Sequence, residues 1–178
     1  MKNLRQAIEI VGSLSGDVSL DIFGPIDDEP YGQQCKAAMR AAKPNVRFAW
    51  HGSVDPGSVA TTFAEFDFFV LPTLGENFGH VILEALSAGC PVVLSDRTPW
   101  KQLQADGVGW SLPLEDAQRW RQTLQSCVDM DESEYQKMQA ACPTVARSYA
   151  ASDLAIAQNV ALFQEAVRNR GSRTLSTE

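Results

Sequence analysis

The sequence predicts an α/β fold of the Rossmann-like kind, a three-layer α/β/α domain in which helices cover both faces of a parallel sheet. Short apolar runs alternate along the chain with segments of helical periodicity, as in successive strand–helix–strand units. The run 66–71 is apolar on both faces except for Asp67, which is typical of a central parallel strand. The 178 residues fit one ordinary domain. We therefore expect right-handed crossovers between parallel strands.

The first part of the chain supplies three predicted helices and three predicted strands. Leu4, Ile8 and Val11 recur at helical spacing. Gly16 breaks that pattern before an apolar strand begins. Pro56 suits the first turn of a helix, because the first amides of a helix have no partner within the helix. The predicted elements are helix 3–14, strand 18–23, helix 29–42, strand 46–50, helix 56–65 and strand 66–71.

The second part of the chain continues the alternation and then becomes helical. A helix and a strand follow the central strand, and three helical segments close the domain. We place the domain at 1–170 and predict a disordered tail over 171–178, where Gly, Ser and Thr replace the apolar pattern. The predicted elements are helix 79–88, strand 91–95, a shorter unit over 99–113 and helices over 115–128, 132–149 and 152–168.

Charge and composition exclude several classes of function. The formal net charge is −7, a sign that repels phosphodiester backbones, so we expect no nucleic-acid partner. A phosphorylated small ligand remains compatible, because backbone N–H groups and one or two basic side chains can bind it. No apolar run reaches the roughly 18–20 residues that span a bilayer. We expect a cytoplasmic location, with peripheral association with the inner membrane as an open alternative for a full-length protein.

The four cysteines show no CxxC pair and no spacing of metal ligands. In a cytoplasmic chain such cysteines are reduced and partly buried, and they do not form a disulfide framework. We also expect no bound metal ion, since no cluster of His, Asp or Glu has ligand spacing. The stretch Asp129-Met130-Asp131 has the form of a metal-binding DxD motif, but it lies between late helices. We interpret it as solvated acidic residues.

Ligands of parallel α/β sheets bind beyond the carboxyl ends of the strands. Four predicted loops reach that edge: 24–28, 51–55, 72–78 and 95–99. The most informative of them leads into the helix that begins at Gly79. A glycine there lets an anion approach the first amides of the helix, where the helix dipole favours negative charge.

Glu84 lies five residues beyond Gly79, roughly 7.5 Å along the helix axis. Helical side chains lean toward the N-terminus, so its carboxylate points back toward the anion. A carboxylate in that place accepts hydrogen bonds from two adjacent hydroxyls, such as those of a ribose attached to a diphosphate. The spacing alone is equally compatible with a solvated glutamate on an ordinary surface helix.

The run ENFGHVILEALSAGCPVV, from Glu76 to Val93, resembles the E-x7-E signature of retaining GT-B glycosyltransferases of family 4. Flanking segments agree with the family pattern, and the resemblance covers most of residues 2–168. Such enzymes have two Rossmann-like domains with the active site between them. The resemblance implies that this chain is the C-terminal, donor-binding domain and that its partner is an N-terminal acceptor-binding domain on another stretch of polypeptide.

The resemblance also assigns roles to single residues. Glu76 corresponds to the glutamate that contacts the donor sugar, and Glu84 to the one that binds the ribose hydroxyls. Lys2 corresponds to a lysine that binds the diphosphate, where an ammonium offsets the charge of the leaving group. We therefore name Glu76 and Lys2 as candidate catalytic residues, with a solvated acid near a helix start and a terminal lysine as the alternatives.

The remaining candidates bind the donor. The resemblance implies that backbone amides from Phe78 to Val81 meet the sugar and the diphosphate, and that the backbone near Val54 contacts the base. The chain departs from the common pattern at Asn77, which is often Gly, and at His80, which is often apolar. His80 either hydrogen-bonds the ligand or lies on the surface. The donor-binding candidates are Ser53, Val54, Asn77, Phe78, Gly79, His80, Val81 and Glu84.

The resemblance implies transfer of a sugar from a nucleoside-diphosphate donor to an acceptor hydroxyl, with retention of configuration. We expect the isolated chain to be inactive because it lacks the acceptor site. Two alternatives remain open at this point. One is an epimerase of the non-hydrolysing kind, which shares the fold and binds UDP-sugars. The other is a non-catalytic nucleotide-sugar-binding or regulatory module.

Overall fold

The computed structural model describes residues 2–151 of the 178. Strands and helices alternate through this part of the chain, as the hydrophobic pattern predicts. A single 3-10 turn, Pro56–Ser58, precedes the third helix. The elements are α1 (Leu4–Val11), β1 (Val18–Phe23), α2 (Glu29–Arg40), β2 (Val46–Gly52), α3 (Val59–Phe63), β3 (Phe69–Leu71), α4 (His80–Ser87), β4 (Val92–Ser95), β5 (Gly109–Leu112), α5 (Ala117–Val128) and α6 (Glu132–Ala150).

Every strand pair in the structure is parallel, which confirms the predicted fold class. Strand β1 pairs with β2, and β4 pairs with both β3 and β5. The strands therefore form two hydrogen-bonded sheets, of two and three strands, and not the single sheet that the sequence suggests. No hydrogen-bonded ladder joins β1 to β3 within residues 2–151.

Helices pack on both sides of the strands. Buried residues of α1 and α5 lie with Val93 and Leu112 on one side, in a cluster that includes Trp120. The opposite side of β3 and β4 is covered by α4 and α6, where Ile82, Leu86, Leu94 and Cys142 are buried. Side chains of β1 and β3 both pack in the first cluster, so one apolar layer connects the two sheets.

Several predicted boundaries differ from the observed ones. The predicted strand 66–71 is three residues long, because Phe66 turns aside to contact Phe23 edge to face, with ring centroids 5.7 Å apart. The predicted helix 56–65 is a 3-10 turn followed by the five-residue α3. Pro56 does occupy the first turn, and the Asp55 side chain accepts a hydrogen bond from Gly57 N at 2.8 Å. The predicted helix over 152–168 and the predicted tail lie outside the described residues.

Candidate functional site

The loop between β3 and α4 is held in place by buried hydroxyls. Ser95, which is fully buried at the end of β4, donates from Oγ to the carbonyl oxygen of Thr73 at 2.6 Å. Thr73 is buried as well, and its Oγ1 donates to the carbonyl of Gly75 at 2.8 Å. Because a buried polar group without a partner is costly, these bonds fix the path of the loop beyond the strand ends.

A backbone bond ties the same loop to the next one. The amide of Glu76 donates to the carbonyl oxygen of Arg97 at 3.1 Å. The loops predicted at 72–78 and 95–99 therefore lie together at the carboxyl edge of β3 and β4, as the sequence predicts. The side chain of Glu76 is half-buried and that of Asn77 is exposed.

The turn before α4 rests on Trp100. Trp100 is 4% exposed, and its Nε1 donates to the carbonyl oxygen of Phe78 at 3.3 Å. Its ring stacks on Tyr149 of α6, with centroids 3.7 Å apart. The buried ring of Phe78 contacts the ring of the exposed His80 at a centroid distance of 4.3 Å. Trp100 is thus a packing residue, and His80 lies at the surface of the turn.

Gly79 is the residue on which the start of α4 depends. It is the N-cap, with φ 76° and ψ 50°, a left-handed conformation that favours glycine. A Cβ at this position would lie 2.6 Å from Cδ1 of Ile82 and 3.3 Å from Nε1 of Trp100. The structure therefore accounts for this glycine by backbone conformation and internal packing, a cause additional to the close ligand approach predicted from the sequence.

Four backbone amides around Gly79 have no acceptor among residues 2–151: those of Phe78, Gly79, His80 and Val81. The carbonyl of Gly79 accepts the first helical bonds, from Ile82 and Leu83, so the preceding amides are left without intrahelical partners. The positive end of the α4 dipole lies at the same place. This arrangement can bind an anion through the backbone without help from a basic side chain.

Two carboxylates flank these amides along the chain. Glu84 is exposed on α4, one helical turn beyond His80, and its carboxylate makes no hydrogen bond or ion pair within the described residues. Glu76 precedes the turn. Both carboxylates are thus available as acceptors for hydroxyl groups of a ligand.

Basic side chains lie at the same edge, and sequence reasoning did not select them. Arg97 donates from Nη2 to Oε1 of Glu115 at 2.8 Å and lies 3.4 Å from Oδ1 of Asp96 through Nε. Lys101 donates from Nζ to the carbonyl oxygen of Asp96. The pKa of the Glu115 carboxyl group is lowered. The larger cause is a hydrogen bond from the backbone of Glu115 itself, and the next is the bond from Arg97. The only signal in the sequence that could have identified Arg97 and Lys101 was their position, because they follow the strand that precedes a ligand loop.

Lys2 belongs to a different part of the same edge. It is exposed and lines an open cavity of about 280 Å³, together with residues of α1, α2 and the ends of β1 and β2. Neither Glu76 nor Glu84 lines this cavity. The residues that do are Lys2, Asn3, Leu4, Pro25, Ile26, Asp27, Asp28, Tyr31, Gly32 and Trp50.

The loops after β1 and β2 are joined by backbone and side-chain bonds. The amide of Gly24 donates to the carbonyl of Gly52 at 2.6 Å, and Nε1 of Trp50 donates to the carbonyl of Gly24 at 2.9 Å. Ser53 is exposed and Val54 is half-buried just beyond this junction. The structure thus groups the four predicted loops into two pairs, 24–28 with 51–55 and 72–78 with 95–99.

The two histidines of the sequence differ in their surroundings. The His51 ring stacks on Phe23 with centroids 4.8 Å apart, and its Nε2 lies 2.6 Å from Oδ1 of Asp21. These contacts hold the His51 ring against β1 and give it a structural role.

The sequence pattern of the glycosyl transferases group 1 matches residues 1–143. The chain belongs to the glycosyl transferases group 1. The matched stretch contains every residue that the sequence analysis selects for the donor site, from Lys2 to Glu84.

Longer mannosyltransferases are among the relatives of this chain. The chain is 34% identical over 119 residues to a phosphatidyl-myo-inositol mannosyltransferase of Mycobacterium leprae, which covers 66% of this chain and 30% of that protein. It is 35% identical over 118 residues to the enzyme of the same name from Mycolicibacterium smegmatis, covering 65% and 29%. The matched part of the chain thus spans about 30% of the length of these relatives.

Solved glycosyltransferase structures share the fold. WaaG, a glycosyltransferase involved in lipopolysaccharide biosynthesis, matches with a TM-score of 0.67 at 18% identity, over 90% of this chain and 42% of that one. The catalytic domain of the cholesterol-α-glucosyltransferase from Helicobacter pylori matches with a TM-score of 0.63 at 17% identity, over 83% and 91%. At these identities the likeness establishes the fold, that of GT-B glycosyltransferases.

In the DxD-like stretch of this glycosyltransferase chain, both aspartates make hydrogen bonds at the ends of helices. Oδ1 of Asp131 accepts a hydrogen bond from the amide of Glu134 at 2.9 Å, which caps α6. Oδ1 of Asp129 accepts from Nε2 of Gln125 at 3.1 Å. In the described part of the chain, no three His, Cys, Asp or Glu residues are grouped as metal ligands.

No helix within residues 2–151 is both long and apolar enough to cross a membrane.

Proposed function

We propose that this chain is the donor-binding half of a glycosyltransferase that moves a hexose from a nucleoside-diphosphate sugar to an acceptor hydroxyl with retention of configuration. One observation carries the proposal: four unpaired amides at the start of α4 are flanked by two carboxylates without protein partners. Amides suit a diphosphate, and carboxylates suit the hydroxyls of a ribose and a hexose. Membership of the glycosyl transferases group 1 supports the same ligand class.

The part of these residues in the reaction is electrostatic. As the bond between the sugar and the diphosphate breaks, negative charge accumulates on the leaving phosphate. Fixed N–H groups from Phe78 to Val81 oppose that charge, and the ammonium of Lys2, from another part of the same sheet edge, adds a positive charge. Glu84 holds the ribose and Glu76 holds the sugar, so that the anomeric carbon is kept in a defined position toward the acceptor. We propose that no metal ion is required for binding.

The first experiment is a thermal-shift screen of the isolated chain with uridine, guanosine and adenosine diphosphates and their mannose and glucose conjugates. The mannosyltransferase relatives make mannose the first sugar to try. A ligand present at 100 times its dissociation constant stabilises the folded state by about 2.7 kcal/mol, enough for a clear shift. We expect binding without transfer. Absence of any shift across the screen would contradict the proposal, and a loss of affinity with EDTA would contradict its metal-free form.

The two glutamates provide a sharper test, because the proposal gives them different ligand groups. Glu84→Gln should weaken binding of the bare nucleoside diphosphate, since the amide offers only one acceptor oxygen. The expected loss is that of a hydrogen bond to a charged group, roughly 1.5–3 kcal/mol. The matched control ligand is the 2′,3′-dideoxy nucleotide, which should bind the variant and the original chain equally. A variant that still prefers the ribose form as strongly would remove Glu84 from this role.

Glu76→Ala should show the opposite pattern. Binding of the bare nucleotide should be unchanged or slightly tighter, because one negative charge near the diphosphate is removed. Binding of the nucleotide sugar should fall by roughly 1.5–3 kcal/mol. Calorimetry with each nucleotide and its matching sugar conjugate measures both values. Equal losses for the two ligands would assign Glu76 to the phosphates or to the structure of the loop.

A further inference from the structure

The indole ring of Trp100 is held in one orientation by contacts on several sides. Trp100 is 4% exposed, and its ring stacks on Tyr149 with centroids 3.7 Å apart and planes inclined by 20°. The backbone N–H of Trp100 donates to Oγ1 of the buried Thr98 at 3.3 Å. A Cβ at Gly79 would lie 3.3 Å from Nε1, so the glycine leaves the room that the indole needs. The Nε1–H bond of Trp100 therefore has a defined direction.

That N–H fixes the peptide group between Phe78 and Gly79. Nε1 of Trp100 donates to the carbonyl oxygen of Phe78 at 3.3 Å. No peptide bond within residues 2–151 is cis, and in a trans peptide the C=O of one residue and the N–H of the next point in opposite directions. The N–H of Gly79 is therefore directed away from Trp100. Because hydrogen bonds polarise one another, the bond to the carbonyl also makes this N–H a stronger donor.

The N–H of Gly79 is a donor without an acceptor in the described part of the protein. Gly79 is buried, yet its N–H finds no acceptor within residues 2–151. Buried N–H groups without an acceptor are rare in folded proteins, because each costs free energy. The amides of Phe78, His80 and Val81 beside it lack acceptors in the same range as well. An anion bound at this turn would supply the missing acceptors.

A second orientation of this peptide is open at a glycine. Glycine adopts positive and negative φ about equally well, so rotation of the peptide between Phe78 and Gly79 meets little steric resistance. Such a rotation would direct the carbonyl oxygen of Phe78 to the side on which the N–H of Gly79 lies, and an oxygen that faces an anion repels it. The hydrogen bond from Trp100 opposes this rotation, because breaking it would leave a buried indole N–H and a buried carbonyl without partners.

We propose that Trp100 is a positioning residue of the donor site. Its indole N–H holds the peptide between Phe78 and Gly79 in the orientation that directs the N–H of Gly79 toward the diphosphate, and Tyr149 supports the ring from α6. Trp100 acts through the backbone of the turn and lies outside the run from Glu76 to Val93. This role rests on the proposed function, because the diphosphate of the donor is the anion that the turn would bind.

Two matched variants test the orientation of the peptide without any ligand. Trp100→Phe removes the N–H and keeps an aromatic ring against Tyr149. The control is Trp120→Phe, since Trp120 is fully buried in another cluster and donates from Nε1 to the carbonyl oxygen of Pro113 at 3.0 Å. We expect the NMR order parameter of the Gly79 N–H to be about 0.85 in the original chain and the control, and below about 0.6 in Trp100→Phe. A value near 0.85 in all three would overturn the proposal.

Calorimetry with inorganic pyrophosphate and with uridine, guanosine and adenosine diphosphates then measures the consequence for binding. In Trp100→Phe, we expect the Kd of pyrophosphate and that of the best-bound nucleotide to rise by the same factor, about 3- to 10-fold, as for one lost hydrogen bond. In Trp120→Phe, both should change by less than about 2-fold. Pyrophosphate has no base and no ribose, so a loss confined to the nucleotide would overturn the proposal, as would equal losses in the two variants. Absence of binding by the original chain would overturn the proposed function, while the order parameter of Gly79 would still decide whether Trp100 orients the turn.

Discussion

Gly79 shows how strongly one residue constrains the candidate donor site. Its positive φ disfavours any side chain, and its missing Cβ leaves room for Ile82 and Trp100. The sequence indicated the position of this glycine and the start of α4. It did not indicate the contact with Trp100, because that contact joins residues 21 positions apart and no local pattern encodes it.

We expect Gly79→Ala to lower the free energy of unfolding by about 1–3 kcal/mol, from backbone strain and crowding against Ile82. The matched control is Gly75→Ala in the same loop, where a Cβ would meet no atom within 4 Å. Urea denaturation of the two variants and the original chain measures the difference. Equal stability of the two variants would contradict the role given to the left-handed conformation of Gly79.

At the scale of elements, the acidic pair between α5 and α6 illustrates how a motif can be explained by helix ends. Asp131 is the N-cap of α6 and accepts from the amide of Glu134. Asp129 follows α5 as its C-cap residue, where a negative charge is unfavourable to the helix dipole. The two aspartates of one short motif therefore act in opposite directions on the two helices.

Asp131→Ala should lower the free energy of unfolding by about 0.5–2 kcal/mol, the usual effect of losing an N-cap. Asp129→Ala should change it by less than about 0.5 kcal/mol, since an exposed bond is lost while an unfavourable charge is removed. Thermal denaturation measures both changes. If the two variants instead lost nucleotide-sugar affinity together, and Mn²⁺ raised that affinity in the original chain, a metal site would replace the capping explanation.

The hydrophobic period predicted the order and the type of the elements. It predicted the residues at which they begin and end less well. Phe63 and Phe66 have the apolar character of a helix face and a strand. The structure instead uses them in edge-to-face contacts with Phe69 and Phe23. Such contacts depend on which elements become neighbours, so a periodic pattern does not predict them.

At the scale of the whole molecule, stability should depend on alkaline pH because of buried thiols. Burial raises the pKa of Cys90, Cys127 and Cys142 to about 12, against an ordinary value of 9.0. Above pH 9 the unfolded chain loses these protons while the folded chain keeps them. The free energy of unfolding should therefore be unaffected below pH 9 and fall above it, by up to about 1.4 kcal/mol per pH unit for each thiol.

Urea denaturation between pH 8 and pH 10 checks this expectation. Ionisation of Tyr135 contributes little in that range, since burial raises its pKa to about 12 and its ordinary value is 10.0. The control replaces Cys90, Cys127 and Cys142 by alanine, which should lower the overall stability and flatten its pH dependence. An equally steep fall in this variant would attribute the effect to other groups.

The sequence predicted the layers of the whole molecule and the edge at which a ligand should bind. It did not predict that the strands form two separate ladders. Hydrophobic alternation indicates which residues of a strand such as β3 are buried, but it does not indicate which strand lies beside it. The pairing of 24–28 with 51–55 and of 72–78 with 95–99 likewise required the bonds made by Gly24 and Glu76.

The bonds from Ser95 to Thr73 and from Glu76 to Arg97 have a consequence for protein engineering. Exchanging the loop before α4 between relatives is an obvious route to altered sugar choice. That loop is hydrogen-bonded to the loop after β4. In a graft of 72–79 alone, the carbonyls and amides of the new loop would therefore have to pair with residues of the recipient protein. A chimera should therefore carry 72–79 and 95–100 from the same parent, with Trp100 included.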